Sequence, residues 1–242
     1  MSWTEFQEVM KDNDLIILPI GVTEQHGRHN PIGTDNYIAE ESAYRIAKKS
    51  GYPLAPTFRY GTSPSVVEFP GTISLDPFLL RKILISYCES FIKHGAKRFL
   101  FINGHGGNNA ALDAACSYMY DVHGAICSHS EWWEQLPFLP KKWNCSEHGG
   151  LGETSLSMIS RPGMVSMEHV AFGPTLPFIP GMQDGTFKGA RIGLSTNLYK
   201  VNKIGTLGIP ADDANEKLGE EMMEDYVNFL VELAHELKKV SI

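Results

Sequence analysis

Apolar side chains run without a break through Leu15-Ile16-Ile17-Leu18 and again through Phe99-Leu100-Phe101-Ile102, with polar or glycine-rich sequence on either side. Such short, uninterrupted runs fit strands buried on both faces, as in a parallel sheet. Tyr52 to Phe58 and Ala125 to Ser128 are weaker strand candidates. Helical patterns separate them. One runs from Asn36 to Lys49 and is ended by Gly51. Another runs from Pro77 to His94, with Asp76 as N-cap, Pro77 at the first helical position and Gly95 after the end. Within it Leu80, Ile83, Leu84, Tyr87, Phe91 and Ile92 form one stripe at helical spacing, which core packing explains. A third helix spans Asn109 to Val122, and Asp213 with Glu216 three residues on opens a last one to about Lys239. Strands alternating with helices predict an α/β fold with a mainly parallel sheet, helices on both faces, and a ligand site at the carboxyl ends of the strands. No repeat or linker divides the chain, so residues 1–242 read as one domain. Phe172 to Lys200 is rich in Gly and Pro and has no periodicity, which suits a lid or an oligomer contact.

Composition narrows the function. The 242 residues carry 21 basic and 28 acidic side chains, a formal charge of −7, and no Lys/Arg run exceeds two. That excludes the basic footprint needed to displace counterions from nucleic acid. No apolar stretch approaches the roughly 20 residues that span a bilayer. Met1-Ser2-Trp3-Thr4-Glu5 lacks the basic and apolar regions of a signal peptide, so a cytoplasmic location is expected. Cys88, Cys116, Cys127 and Cys145 show no CxxC spacing, and buried apolar filler is their ordinary role.

Candidate chemistry collects behind the strands. Gly21-Val22-Thr23-Glu24-Gln25-His26-Gly27 follows the first, and Asp35 lies nine residues after His26. In extended backbone Glu24 and His26 point to the same side, and the loop can return Asp35 to them. Asp35 could equally cap the helix that begins at Asn36. The second strand runs into Asn103-Gly104-His105-Gly106-Gly107-Asn108, a loop that could also cradle a phosphate or only turn the chain. His148-Gly149-Gly150-Leu151-Gly152-Glu153 adds another imidazole and carboxylate among glycines. Imidazoles and carboxylates without thiolate suit zinc, manganese or iron(II). Three carboxylates and two imidazoles make two ions with a shared carboxylate the natural count, able to hold a hydroxide by lowering the pKa of its parent water towards neutrality.

These motifs resemble the creatininase family, the creatinine amidohydrolase type of metal-dependent hydrolase. The resemblance rests on Leu18 to Gly27, Thr34-Asp35, Phe69 to Ile73, Asn103 to Asn108, Gly152 to Ser155 and Gly205 to Pro210. It implies a three-layer α/β/α sandwich, a dinuclear centre and a homo-oligomer, commonly a hexamer. It also implies that Glu24, Asp35 and His105 hold one ion and that His26 with the bridging Asp35 holds the other. Creatinine-hydrolysing members carry a Glu where this chain has Gly107, so the resemblance assigns the remaining ligand to Glu153 and points away from creatinine itself. Many relatives place a Glu-His pair at Ser65-Val66, which here would leave a less polar wall. His148 takes the family's general acid/base position, with a structural, backbone-bonded histidine as the alternative.

The resemblance therefore implies attack of a metal-bridging hydroxide on the carbonyl of a small polar, cyclic amide or formamide. C–C hydrolysis of an inositol-derived cyclic dicarbonyl such as 3-dehydro-scyllo-inosose is the alternative within the family. Trp132, Trp133 and Trp143 could wall the substrate or pack against protein, and Gly107 and Asn108 stand at the same rim. A non-enzymatic phosphate-binding α/β module, and an inactive scaffold, are the rivals from other classes. The first leaves Glu24, His26 and Asp35 unexplained.

Overall fold

The computed structural model describes residues 1–145, 147–183, 186–191 and 196–242. In chain order the elements are α1 (Trp3–Val9), β1 (Leu15–Ile20), α2 (Thr34–Ser50), α3 (Pro77–Ile92), β2 (Arg98–Asn103), α4 (Asn109–His123), β3 (Ile126–Glu131), α5 (Trp132–Gln135) and α6 (Leu151–Ser160). Three two-residue strands, β4 (Met182–Gln183), β5 (Thr186–Phe187) and β6 (Ala190–Arg191), then precede α7 (Leu198–Val201) and α8 (Glu216–Lys239).

β1, β2 and β3 form a parallel sheet in that order. Its register runs from Leu15 opposite Arg98 to Ile20 opposite Asn103, and from Arg98 opposite Ile126 to Asn103 opposite Glu131. Ile20, Asn103 and Glu131 therefore end in line at one carboxyl edge. Alternate side chains enter two cores. Leu15, Ile17, Leu100 and Ile102 pack with α2, α6 and α8. Ile16, Leu18, Phe99 and Phe101 pack with α3 and α4. Each fully buried Leu, Ile or Phe contributes about 1.5–3 kcal/mol, so both faces must be covered and the three-layer sandwich follows. Arg98 fixes the end of α8, donating through Nε to the Leu237 carbonyl at 2.8 Å and pairing with Asp14.

The expected strand over Tyr52 to Phe58 is reduced to isolated parallel bridges from Leu54 and Phe58 to β1. Pro53 and Pro56 have no N–H to donate, which interrupts a regular ladder. α2 begins two residues before the expected Asn36, so Asp35 lies inside its first turn and is not its N-cap. α8 begins at Glu216, where the Asn215 side chain accepts from Leu218 N, in place of a cap at Asp213. Phe172 to Lys200 contains the small antiparallel β4–β5–β6 sheet and most of α7, and its residues 184–185 and 192–195 lie outside the described residues. Leu198 of α7 packs on Val66 and Phe69, so Val66 is buried beneath it and does not form an open wall.

Candidate metal centre

The extended segment after β1 brings Glu24 and His26 to the carboxyl edge, and the first turn of α2 brings Asp35 to meet them. A carboxylate suits that position, because the free N–H groups of a helix start favour negative charge. The loop after β2 supplies His105, and the first turn of α6 supplies Glu153. His26 Nε2 lies 2.8 Å from Asp35 Oδ1 and 3.4 Å from Glu153 Oε1. His105 Nδ1 lies 3.1 Å from Asp35 Oδ2 and 3.4 Å from Glu24 Oε1. Glu24, Asp35 and His105 thus converge as one potential ligand group and His26, Asp35 and Glu153 as another, with Asp35 common to both.

Neighbouring groups set which atom each ligand presents. His105 Nε2 is 3.1 Å from the Thr62 carbonyl and His26 Nδ1 is 3.2 Å from the Glu24 carbonyl, so in each ring that nitrogen carries the proton and the other faces the carboxylates. Ser63 donates its hydroxyl to Glu24 Oε2, and Gly149 N donates to Glu153 Oε2 at 2.5 Å. The remaining atoms fit a cation: among the described residues neither His26 Nε2 nor Asp35 Oδ2 makes a well-aligned hydrogen bond, although His26 Nε2 faces Asp35 Oδ1 and Asp35 Oδ2 faces His105 Nδ1. In a native interior such orphans call for an ion or equivalent group. Burial alone would lower the His26 and His105 pKa values, but the Asp35 and Glu153 carboxylates hold His26 well above its ordinary value, and Glu24 with Asp35 push His105 up to about 9. Burial would raise Asp35, yet the two imidazoles keep it well below the carboxylate range. A bound cation would displace the imidazole protons.

His148 stands over this group, its ring centroid 4.3 Å from that of His26 and its Nδ1 3.7 Å from Glu24 Oε1. Its backbone is fixed by reciprocal hydrogen bonds with Leu207. Burial, then the charge of His26, lowers its pKa. Nε2 lies 2.9 Å from both the backbone carbonyl and the side-chain amide nitrogen of Gln25. The first partner serves a protonated Nε2 and the second a bare one, so either tautomer of the ring is accommodated. Glu24 and Asp35 are sealed at 1% exposure, whereas the His105 and His148 side chains keep 15% and 20%. The centre is therefore open on the side of those two histidines.

The family model described as creatinine amidohydrolase matches residues 1–234. The chain belongs to the creatininase family and is a hydrolase. It is similar to the mycofactocin precursor peptide peptidase of Mycolicibacterium smegmatis, 31% identical over 227 residues that cover 88% of this chain and 81% of the relative. The creatinine amidohydrolase of Pseudomonas putida is 26% identical over 202 residues, 74% of this chain and 77% of its own. The 3-dehydro-scyllo-inosose hydrolase of Thermotoga maritima is 33% identical over 157 residues, 64% of this chain and 49% of its own. A manganese form of creatininase superposes with a TM-score of 0.79 at 24% identity, covering 98% and 96% of the two chains. The α/β/α fold is shared across that distance.

In this creatininase-family chain the structure brings Glu24, His26, Asp35, His105, His148 and Glu153 together. Gly107 has no room for a side chain, since a Cβ there would lie 2.0 Å from the Thr62 carbonyl. Asn108 is fully buried and its amide is spent on structure: Oδ1 accepts from Thr62 N, and Nδ2 donates to the Gly21 carbonyl and Asn103 Oδ1. Trp132 is enclosed in the core beneath α8, and Trp143 donates to Asp225 Oδ2 at 2.9 Å. Trp133 lies against the glycine turn, where a Cβ on Gly106 would stand 3.6 Å from the indole. Sequence reasoning missed Gln25, Thr62 and Ser63. Gln25 sits inside the Glu24 to His26 motif and could have been found, whereas Thr62 and Ser63 carry no local signal. Among the described residues no helix is long and apolar enough to cross a membrane.

Proposed function

We propose that the chain hydrolyses an amide C–N bond of a small polar substrate at a centre of two divalent ions, zinc, manganese or iron. Glu24, Asp35 and His105 would hold one ion and His26, Asp35 and Glu153 the other. Such ions polarise a carbonyl and lower the pKa of water. The protein's own contribution is to seal the ligands, admit substrate past His105 and His148, and move a proton. With Nε2–H on the Gln25 carbonyl, His148 Nδ1 is a bare base facing the centre. It can take a proton there and pass it to the leaving nitrogen. The observation that carries this reading is the convergence of Glu24, Asp35 and His105, and of His26, Asp35 and Glu153, beneath that imidazole, with His26 Nε2 and Asp35 Oδ2 buried and lacking a well-aligned hydrogen bond among the described residues. The substrate we favour is an amide or formamide other than creatinine, because position 107 cannot offer a carboxylate. The name of the peptidase relative makes the peptide bond of a short peptide the first to test. Exposed Trp3, Phe78 and Phe138 fit a homo-oligomer.

The test is metal content per chain by plasma mass spectrometry for wild type and Asp35→Ala, then mass-spectrometric assay of the loaded enzyme on short peptides, formamides, creatinine and a cyclic 1,3-dicarbonyl. About two equivalents, lost in the variant, with cleavage of an amide or formamide, is the expected result. Cleavage of the dicarbonyl alone would move the chemistry to a C–C bond, and wild type without ions would remove the metal centre.

A further inference from the structure

We propose that His129 and Glu131 of β3 are positioning residues for His105, acting through Asn103. The inference rests on His105 as a metal ligand. Asn103, the last residue of β2, brackets His105 with one side chain. Its Nδ2 donates to the His105 carbonyl at 2.9 Å, and its Oδ1 accepts from His105 N at 3.1 Å. The same Oδ1 accepts from Asn108 Nδ2 at 3.1 Å, and Asn108 in turn fixes the N–H of Thr62, whose carbonyl meets His105 Nε2. The backbone of His105 is therefore held by the Asn103 amide, whose Nδ2 also lies 2.8 Å from the Asn109 side-chain oxygen.

The register of the sheet bears on which way that amide points. β2 and β3 set Asn103 opposite Glu131, and Glu131 Oε1 lies 3.2 Å from Asn103 Nδ2. A carboxylate accepts only from the amide nitrogen, so Glu131 opposes the flipped amide, in which Oδ1 would face it, and acts together with the His105 and Asn108 donors on Oδ1. Glu131 is buried at 4% exposure, and a buried carboxylate calls for a charged or hydrogen-bonding partner. His129, two residues earlier on the same face of the strand, supplies it, with Nδ1 2.6 Å from Glu131 Oε1. The other nitrogen of His129 is 2.9 Å from Asp113 Oδ1, on a side chain 70% exposed. The Glu131 hydrogen bond, aided by Asp113, pushes His129 up to about 9 against its burial, so the imidazolium persists at neutral pH. An ordered chain thus runs from the surface through Asp113, His129, Glu131 and Asn103 to the backbone of His105.

The experiment measures the affinity of each of the two ions by chelator competition with plasma mass spectrometry, using zinc and the full chain. Wild type is expected to hold two ions. Glu131→Leu should weaken one of them about ten- to a hundredfold and leave the other unchanged, the usual effect of losing a group that orients a ligand. Glu131→Gln keeps an acceptor towards Asn103 and should restore affinity to within about threefold of wild type. Combining Glu131→Leu with His105→Ala should add no further loss to His105→Ala alone, since both act on one ligand. Should Glu131→Leu fail to fold, His129→Gln, at a half-buried position, must show the same selective loss. Both ions at wild-type affinity in either variant, or equal weakening of both ions, overturns the proposal while leaving the metal centre intact. Wild type that binds no ion overturns both.

Discussion

Substitution of Gly104 by Ala tests how tightly the two halves of the centre are pressed together. A Cβ on Gly104 would lie 2.2 Å from the carbonyl oxygen and 2.9 Å from the carbonyl carbon of Asp35. Ordinary contact requires about 3.5 Å, so one backbone must retreat by about 1 Å. Neither is free to do so: Gly104 N is bonded to the Ile20 carbonyl at 2.8 Å, and Asp35 lies in the first turn of α2. Overpacking costs about 1–3 kcal/mol, and backbone against backbone belongs at the upper end, about 3 kcal/mol. For a chain of this size that is a fall in Tm of about 6–12 °C. The same retreat separates Asp35 Oδ2 from His105 Nδ1, now 3.1 Å apart, by far more than the roughly 0.2 Å that metal sites tolerate. Gly104→Ala should therefore lose both thermal stability and metal. Gly51→Ala is the control: its φ is 77° but nothing lies within 4 Å of the added carbon. Left-handed backbone costs Ala about 1 kcal/mol, about 2–4 °C, with metal content unchanged. Calorimetry of the metal-free proteins and plasma mass spectrometry of the loaded ones decide it. Equal losses in the two variants, or a Gly104→Ala protein with wild-type Tm and ions, would refute the close approach.

His148→Ala should keep both ions and lose turnover by about 10²–10⁴-fold, the range of a general acid or base; loss of the ions would make His148 a ligand instead. Ser63→Ala removes the hydroxyl bonded to Glu24 and should lower metal affinity about tenfold, read by chelator competition, and unchanged affinity would show that Glu24 is held without it. Burial would raise the Asp14 pKa, but Lys238 and Arg98 bring it below its ordinary value. A depressed carboxylate stabilises the fold above its unfolded pKa of about 3.9 and loses that contribution as pH falls through the folded value. Urea unfolding should therefore show wild type more stable than Asp14→Asn at pH 6 and the two converging as pH drops below about 4, and a constant difference would contradict the ion pair.

β1 and β2 were legible because strands buried on both faces leave no polar position to confuse the pattern, as in Leu15 to Leu18 and Phe99 to Ile102, whereas β3, expected over Ala125 to Ser128, runs from Ile126 to Glu131 through polar, half-buried positions. α3 was legible because Asp76 and Pro77 state its start, and Asp76 Oδ1 does accept from Phe78 N and Leu79 N. The start of α8 was not, because Asp213 and Asn215 are both competent caps and only the chain's path past Ser155, whose hydroxyl receives Asn215 N, selects the second. The His and carboxylate residues of the centre stood out because glycines flank them. Ser63, Thr62, Glu131 and His129 did not, since each is an ordinary polar residue whose partner is fixed by register between distant segments. The three tryptophans looked equivalent in sequence, and only the course of α5 and α8 separates Trp133 at the glycine turn from Trp132 in the core.

The glycines themselves decide between the two chemistries that their motifs allow. A loop that cradles phosphate keeps open space beside its glycines, because the anion must reach the backbone there. Gly61, Gly104 and Gly107 show the reverse. An added Cβ would meet the Asn108 side-chain oxygen at 2.3 Å, the Asp35 carbonyl at 2.2 Å and the Thr62 carbonyl at 2.0 Å, respectively. At these three positions the space that a ligand would occupy is already filled by a neighbouring segment of this chain, and Gly106 alone in the Gly104 to Asn108 loop keeps ordinary room, beside the Trp133 indole. What these residues permit is the mutual approach of three loops, which carries the ligand atoms of Glu24, Asp35 and His105 to within 4.8 Å of one another. Two largely buried carboxylates and an imidazole drawn that close repel or trap protons unless a cation lies among them. The glycine pattern and the buried charge are thus one requirement, and a metal ion meets it where a phosphate would worsen it.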